Sequence, residues 1–186
     1  LGLDPRKCPR ASIIIIFDVI AIWPAERYEQ GLTLITAGTP INQREALSPR
    51  VKSLNYLNHI LAKVEATNAG ADDAIMLDSG GFIAEATGMN LFVWKKDTLY
   101  TPAVYAGLLR GVTRDTIMEV AAEAGYRVVE TMLNRYDLYT AEEAFLTGTA
   151  AEVAPIRMVD GRIIGEGKAG PVTRDLRARF QKLARS

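Results

Sequence analysis

The order of hydrophobic and polar positions predicts helices and strands in alternation along the chain. Residues 55–69 repeat apolar side chains at helical spacing, and we expect a helix on which these form one apolar stripe: Leu57, Ile60, Leu61 and Val64. A second helix is predicted from Thr113, as its N-cap, to Gly125. A third is predicted to begin at Pro171, since proline is favoured in the first turn.

Short apolar runs bounded by turn-forming residues predict the strands. The isoleucine-rich run at 12–22 is the most apolar and indicates a buried strand. A hairpin over 156–164 is predicted about Asp160-Gly161, a favoured type I′ pair. The other predicted strands are 32–37, 73–78, 82–85, 90–94, 98–101, 127–131 and 144–146, and a short helix is predicted at 24–30.

Composition then narrows the class of protein. The 186 residues support one sizeable domain, or one domain plus a piece of another. The 22 basic and 22 acidic residues balance, so no basic excess indicates a nucleic-acid partner. The longest apolar run is too short to span a bilayer, so we expect no membrane partner.

Single cysteine and histidine residues limit the chemistry further. Cys8 has no second cysteine to pair with, which favours a reducing, cytoplasmic compartment. His59 is the one histidine, so no multi-histidine metal site is expected, and no metal is predicted. We expect His59 to lie on the helix surface.

Three segments carry side chains suited to pyridoxal 5'-phosphate (PLP). Lys52 stands where an extended stretch gives way to a helix, Glu85 follows an apolar strand, and Thr149 lies in a turn of small residues. A lysine amine can bond to an aldehyde, and a carboxylate can keep a ring nitrogen protonated. Backbone N–H groups in such turns and at helix starts can bind phosphate.

Five motifs occur in one order: KSLNYLN, EATGMNLF, GVTRD, LTGTAAEV and GEGKAGPVT. With them, the sequence from about Trp23 to its end resembles the fold-type IV PLP enzymes, also called class IV aminotransferases. Within that family it is most similar to the branched-chain amino acid aminotransferases. The resemblance depends on joint occurrence, because any one motif alone is weak.

This resemblance implies an α+β fold in which helices surround a mixed, barrel-like sheet. It also implies a homodimer or a higher homo-oligomer, and a division of the chain into three parts. Residues 1–22 would be the C-terminal remnant of the family's small domain, 23–31 a linker, and 32–186 the large PLP-binding domain. In the family the small domain supplies a phosphate-binding arginine and residues around the substrate side chain.

The resemblance also assigns roles at the PLP ring. Lys52 would bond covalently to the cofactor and move the substrate proton, for which we expect a buried amine. Tyr56 would contact the ring oxygen and wall the substrate pocket, where D-amino acid aminotransferases have an apolar residue. Glu85 would pair with the ring nitrogen, and Leu109 would pack on the ring. Met89 departs from the acidic residue of many branched-chain members.

The remaining implied contacts are made by backbone groups. Val112, Thr113 and Thr149 would bind the phosphate, and the amides of Thr149 and Ala150 would meet the substrate carboxylate. Each of these residues could instead have a purely structural role. Lys52 and Glu85 could be exposed side chains, Tyr56 a packed ring, Thr113 a helix cap, and the segment around Thr149 a tight turn.

The reaction implied is amino transfer between an L-branched-chain amino acid and 2-oxoglutarate. A D-amino acid aminotransferase or an aminodeoxychorismate lyase of the same family would use the same lysine. A truncated, non-catalytic PLP-binding domain is a further alternative, because the small domain is missing from the segments that match.

Overall fold

A mixed β-sheet forms the centre of the fold. The structure is a computed structural model and describes residues 3–18 and 22–185. Within these residues the strands are β1 (Leu32–Thr36), β2 (Asp73–Leu77), β3 (Ile83–Ala86), β4 (Asn90–Lys95), β5 (Thr98–Pro102), β6 (Arg127–Thr131), β7 (Glu143–Gly148), β8 (Glu152–Val159) and β9 (Arg162–Ile163). The α-helices are α1 (Arg27–Gln30), α2 (Leu57–Asn68), α3 (Val112–Glu123), α4 (Arg135–Tyr139) and α5 (Pro171–Ala184).

The strand order is β3-β2-β1-β8-β7-β4-β5-β6, and β9 pairs with β8. Strand β1 runs parallel to both β2 and β8, and β5 runs parallel to β6. The other pairs are antiparallel. The prediction of an α+β fold with a mixed, barrel-like sheet and surrounding helices is therefore confirmed.

Helices pack on the sheet through small side chains in one place and through aromatic side chains in another. Ala62 and Ala66 of α2 are fully buried against strands β1 to β3. Helices α3 and α5 share a second cluster with Phe92 and Phe145, whose rings stack with centroids 5.1 Å apart. Because α2 and α3 cover different strands, their N-terminal ends leave a gap between them.

The apolar stripe of α2 faces away from the sheet. Its side chains are between 48% and 69% exposed, and they are Leu57, Ile60, Leu61 and Val64. The opposite side of the helix faces the sheet, because Ala62 and Ala66 let the helix backbone come close to the strands. Periodicity thus predicts the helix and its apolar side, and the fold leaves that side exposed.

The predicted strand at 12–22 is wrong over residues 12–18 and 22, which form no strand. Side chains from Ile13 to Phe17 are between 83% and 102% exposed. A strand needs a partner ladder as well as β-branched residues, and no described strand pairs with this segment. Residues 19–21 of this prediction lie outside the described residues.

Two helix starts differ from the prediction. Gly111, not Thr113, is the N-cap of α3, so Thr113 lies inside the first turn. Helix α4 was not predicted, although Asn134 and Asp137 form a capping box at its start. Its five residues are too few to show helical periodicity.

The hairpin turn at Asp160-Gly161 is confirmed and is tied to two other elements. Both residues have positive φ, 51° and 75°, as a type I′ turn requires. The Asp160 carboxylate accepts hydrogen bonds of 2.6 Å from the Thr36 N–H, the Thr36 hydroxyl and the Tyr139 hydroxyl. Burial alone would raise the pKa of Asp160, but the bonds from Thr36 and Tyr139 hold it below its usual value.

We expect Asp160→Asn to destabilise the chain by about 1–2 kcal/mol at pH 7. The amide has one oxygen to accept hydrogen bonds, and its N–H₂ group would face donors where the carboxylate has a second oxygen. Asparagine tolerates positive φ, so the turn itself keeps its conformation. The pKa of Asp160 is lower in the folded chain than its usual value of 3.8. The ionised carboxylate therefore stabilises the fold fully above pH 3.8, and this stabilisation is lost as the pH falls through the folded pKa. Urea unfolding at several pH values measures both effects.

Asp97→Asn is the matched control, because Asp97 also has a positive φ, 55°, in the turn between β4 and β5. Its exposed carboxylate has no side-chain partner within the residues that the structure describes. Equal losses of stability in both variants would contradict the role given to the Asp160 carboxylate.

Candidate active site

A cavity of about 550 Å³ opens between the loop before α2, the start of α3, and the turns that join β3 to β4 and β7 to β8. It brings together every site residue predicted from the sequence. These lining residues are Lys52, Tyr56, Glu85, Leu109, Val112, Thr113, Thr149 and Ala150.

Glu85, in β3, is the buried carboxylate of the cavity, with 5% of the residue exposed. Its Oε2 accepts a hydrogen bond of 3.1 Å from the Leu109 N–H and one of 3.2 Å from Asn90 Nδ2. Asn90 Nδ2 also donates to the Leu109 carbonyl at 2.8 Å. The carboxylate is thus fixed through one oxygen, while Oε1 is not held by either donor.

Burial is the main influence on the Glu85 carboxyl and raises its pKa above 4.5. His59, the Leu109 N–H and the positive charge of Lys52 act in the opposite direction. The net pKa remains raised, so the ionised form is costly in the cofactor-free cavity.

Lys52 lies at the open side of the cavity and is exposed, so the expectation of a buried amine is not met. Its Nζ donates a hydrogen bond of 2.9 Å to the Tyr56 hydroxyl. The loop between them is irregular, and Leu54 has a positive φ of 64°, which is uncommon for a bulky residue. This turn allows the two side chains to meet before α2 begins.

The first turn of α3 borders the cavity. No side chain caps Gly111, so the following N–H groups lack an intrahelical acceptor and carry the positive end of the helix dipole. A β-carbon at Gly111 would overlap the Asn90 side-chain oxygen. Glycine therefore lets the segment before α3 pack directly on the residue that holds Glu85.

The turn after β7 forms another wall. Thr149 and Ala150 are exposed to the cavity, and Gly148 packs beside Met89. Met89 is nearly buried, so this wall of the cavity is apolar. Small residues allow an anion to approach the backbone N–H groups here.

The nearby arginines have structural partners. Arg114 is buried and donates to the Pro102 carbonyl at 2.9 Å and to Glu130 at 2.6 Å, which joins α3 to β5 and β6. Arg110 borders the cavity and pairs with Asp115 at 2.7 Å.

Sequence reasoning missed two residues of the site. Asn90 matched a motif without a role, and only the fold reveals its contacts with Glu85 and Leu109. His59 was placed on the surface, yet it borders the cavity and its side chain is 12% exposed. The spacing of Lys52, Tyr56 and His59, four and then three residues, was the available signal.

The described residues include neither a metal-binding cluster nor a membrane-spanning helix. No group of three or more histidine, cysteine, aspartate or glutamate side chains is placed to hold a metal ion. Among residues 3–18 and 22–185, no helix has the length and apolar character needed to cross a membrane.

Comparisons with known proteins agree with this geometry. Residues 2–159 match the family model described as "Amino-transferase class IV". The branched-chain-amino-acid aminotransferase of Pseudomonas aeruginosa is 44% identical over 178 residues, which are 92% of this chain and 58% of that protein. The chain thus spans less than two thirds of the length of this curated relative.

Solved structures show the same fold. The branched-chain amino acid aminotransferase of Escherichia coli superposes with a TM-score of 0.87 at 39% identity, over 90% of this chain and 55% of that one. The branched-chain amino acid aminotransferase of Thermobaculum terrenum, in its PLP-bound holo-form, gives a TM-score of 0.80 at 38% identity. That match covers 82% of this chain and 50% of the other.

We expect Glu85→Gln to stabilise the cofactor-free chain, increasingly as the pH rises above 4.5. A carboxyl whose folded pKa is raised binds its proton more tightly in the folded state. Folding is therefore favoured at low pH, and that advantage is lost as the pH rises through the folded value. The neutral amide avoids this loss, and urea unfolding from about pH 4 to about pH 8 measures the difference.

Glu65→Gln provides a control of opposite sign. The Thr39 hydroxyl, followed by the Gly38 N–H, lowers the pKa of Glu65. The ionised Glu65 carboxylate stabilises the fold above pH 4.5, and this stabilisation is lost as the pH falls through the folded pKa. Glu65→Gln should therefore destabilise the protein at neutral pH. The same pH trend in both variants would contradict the burial effect at Glu85.

Proposed function

Because the chain belongs to the class IV aminotransferase family, we propose that it forms the PLP-binding part of an enzyme that transfers an amino group between an L-branched-chain amino acid and 2-oxoglutarate. The observation that carries this proposal is the meeting of three groups in one cavity. These are the amine of Lys52, the buried carboxylate of Glu85 and the uncapped start of α3.

The lining of the cavity fits the chemical groups of PLP. The start of α3 at Val112 and Thr113 and the turn at Thr149 offer N–H groups suited to a phosphate. Glu85, with one oxygen free of the Leu109 and Asn90 donors, suits a protonated ring nitrogen. In our proposal Leu109 packs on the ring, and Tyr56 contacts the ring oxygen.

When bound, PLP supplies an aldehyde that receives the amino group and a ring that accepts electrons from the substrate Cα. Lys52 would hold the cofactor through its amine, and as a free amine it would take the proton from the substrate Cα. Glu85 keeps the ring nitrogen protonated. The N–H groups of Thr149 and Ala150 orient the substrate carboxylate.

The choice of branched-chain substrates is supported by the apolar side chains that line the cavity beside these polar groups. They include Leu47, Val51, Met89 and Leu109. An apolar substrate gains from desolvation against such walls. The names of the similar proteins point to the same substrate class.

One observation favours a non-catalytic alternative. Lys52 is exposed, whereas proton transfer calls for a desolvated amine, so PLP binding without turnover is a second candidate function. It predicts cofactor binding but no reaction with any amino acid.

We expect borohydride reduction of the PLP-loaded chain to attach the cofactor permanently to Lys52, because reduction fixes the lysine–cofactor bond. Peptide mapping locates the label. Lys52→Ala should lose the label and Lys182→Ala should keep it, since Lys182 is an exposed residue near the end of α5. A label on another lysine in the unsubstituted chain would refute the assignment.

We expect L-leucine to convert the bound cofactor faster than D-alanine or 4-amino-4-deoxychorismate, as followed by absorbance in single half-reactions. Isoleucine and valine should also react, because one methylene changes binding by only about 1–3 kcal/mol. Adding 2-oxoglutarate should then restore the original spectrum.

Other results distinguish the alternatives. A faster reaction with D-alanine would indicate a D-amino acid aminotransferase, and one with 4-amino-4-deoxychorismate would indicate the lyase. Binding of PLP without any half-reaction would favour the non-catalytic domain.

A further inference from the structure

His59 is a half-buried neighbour of Glu85 that the reaction above does not use. It lies in α2, and its Nε2 is 3.7 Å from Glu85 Oε1. The imidazole is tilted by 48° against the Tyr56 ring, with centroids 5.2 Å apart. Tyr56 in turn accepts a hydrogen bond from Lys52, so the histidine is packed behind the reactive end of the cavity.

The two oxygens of Glu85 have different surroundings. Oε2 accepts from the Leu109 N–H and from Asn90, whereas Oε1 has neither of these donors. In the described part of the chain, His59 is the nitrogen donor placed at Oε1. The gap of 3.7 Å is an ion-pair distance, and a shift of about half an ångström brings it into hydrogen-bond range.

The surroundings of His59 Nδ1, the other ring nitrogen, indicate which tautomer of the imidazole is favoured. His59 Nδ1 is buried and has no hydrogen-bond partner within the described residues. A neutral imidazole carries one N–H group, and a buried N–H without an acceptor is costly. The proton is therefore best placed on Nε2, where it points to the Glu85 carboxylate.

We propose that His59 is a positioning residue that donates from Nε2 to Glu85 Oε1 and so fixes the carboxylate toward the ring nitrogen of PLP. An ionised carboxylate oxygen accepts more than one hydrogen bond, so Oε1 serves His59 and the ring N–H together. Lys52 and Tyr56 are the other titratable groups around this pair. The role in PLP binding rests on the proposed function, whereas the His59–Glu85 contact does not.

The first experiment uses the cofactor-free chain, whose single histidine gives one set of imidazole signals. Long-range ¹H–¹⁵N correlation spectra are expected to show the proton on Nε2. The Nε2 signal should move in Glu85→Gln and stay in place in Glu123→Gln, an exposed control on α3. A proton on Nδ1, or an Nε2 signal that ignores Glu85→Gln, would overturn the proposal.

The second experiment tests whether His59 acts through the ring nitrogen. We expect His59→Leu to weaken PLP binding by about threefold to tenfold, as expected for one lost hydrogen bond. His59→Gln, which can place an amide N–H near Oε1, should restore most of the affinity. An analogue of PLP with carbon in place of the ring nitrogen should bind His59→Leu and the parent chain equally well.

The outcomes separate this inference from the proposed function. Equal losses for PLP and the analogue would mean that His59 only supports packing, which would overturn its positioning role. If the parent chain bound no PLP at all, the proposed function would fail, and with it the PLP part of this inference. The spectra of the cofactor-free chain would still decide whether His59 donates to Glu85.

Discussion

Burial of the Glu85 carboxylate is the constraint that organises this site. A buried carboxylate is tolerated only where donors compensate for lost water, and here the Leu109 N–H and Asn90 provide them. Both donors hold the segment that leads to Gly111 against the sheet. The start of α3 is thereby brought to the same cavity, so one compensated charge sets the distance between the carboxylate and the anion-binding helix end.

A second buried carboxylate shows what is unusual about Glu85. Glu143 accepts hydrogen bonds at both oxygens, from the Val172 N–H at 3.0 Å and from the N–H and hydroxyl of Thr173 at 2.8 and 2.6 Å. It anchors the start of α5 and has a donor at each oxygen. Within the described residues, no donor lies in hydrogen-bond range of Glu85 Oε1, whose neighbour His59 is 3.7 Å away, and the pKa of Glu85 is raised. Such incomplete compensation lowers stability, and it is typical of functional sites rather than of the core.

Most of the fold and the site could be predicted from local patterns and motifs. The strands after residue 31 follow apolar runs, and the turn at Asp160-Gly161 follows from its backbone preference. The predicted site residues, from Lys52 to Ala150, line one cavity. Asn90 and the exposure of Lys52 could not be predicted, because they depend on contacts with the 109–111 segment and on the path of an irregular loop.

The orientation of α2 explains why His59 was placed on the surface. Helical spacing groups the stripe from Leu57 to Val64, but it does not show which side of the helix packs on the sheet. In the structure Ala62 and Ala66 face the sheet, and His59, one turn before Ala62, points inward with them toward Glu85. Periodicity distinguishes an apolar side from a polar one, but it cannot tell which side comes closest to a sheet. Small residues decide which side packs on the sheet. Alanine lets the helix backbone come close to the strands, whereas a leucine at the same position would not fit. The apolar stripe stays exposed on the outside of α2, so it adds no buried area to the stability of this chain. The polar side chains at the start of the helix line the cavity instead.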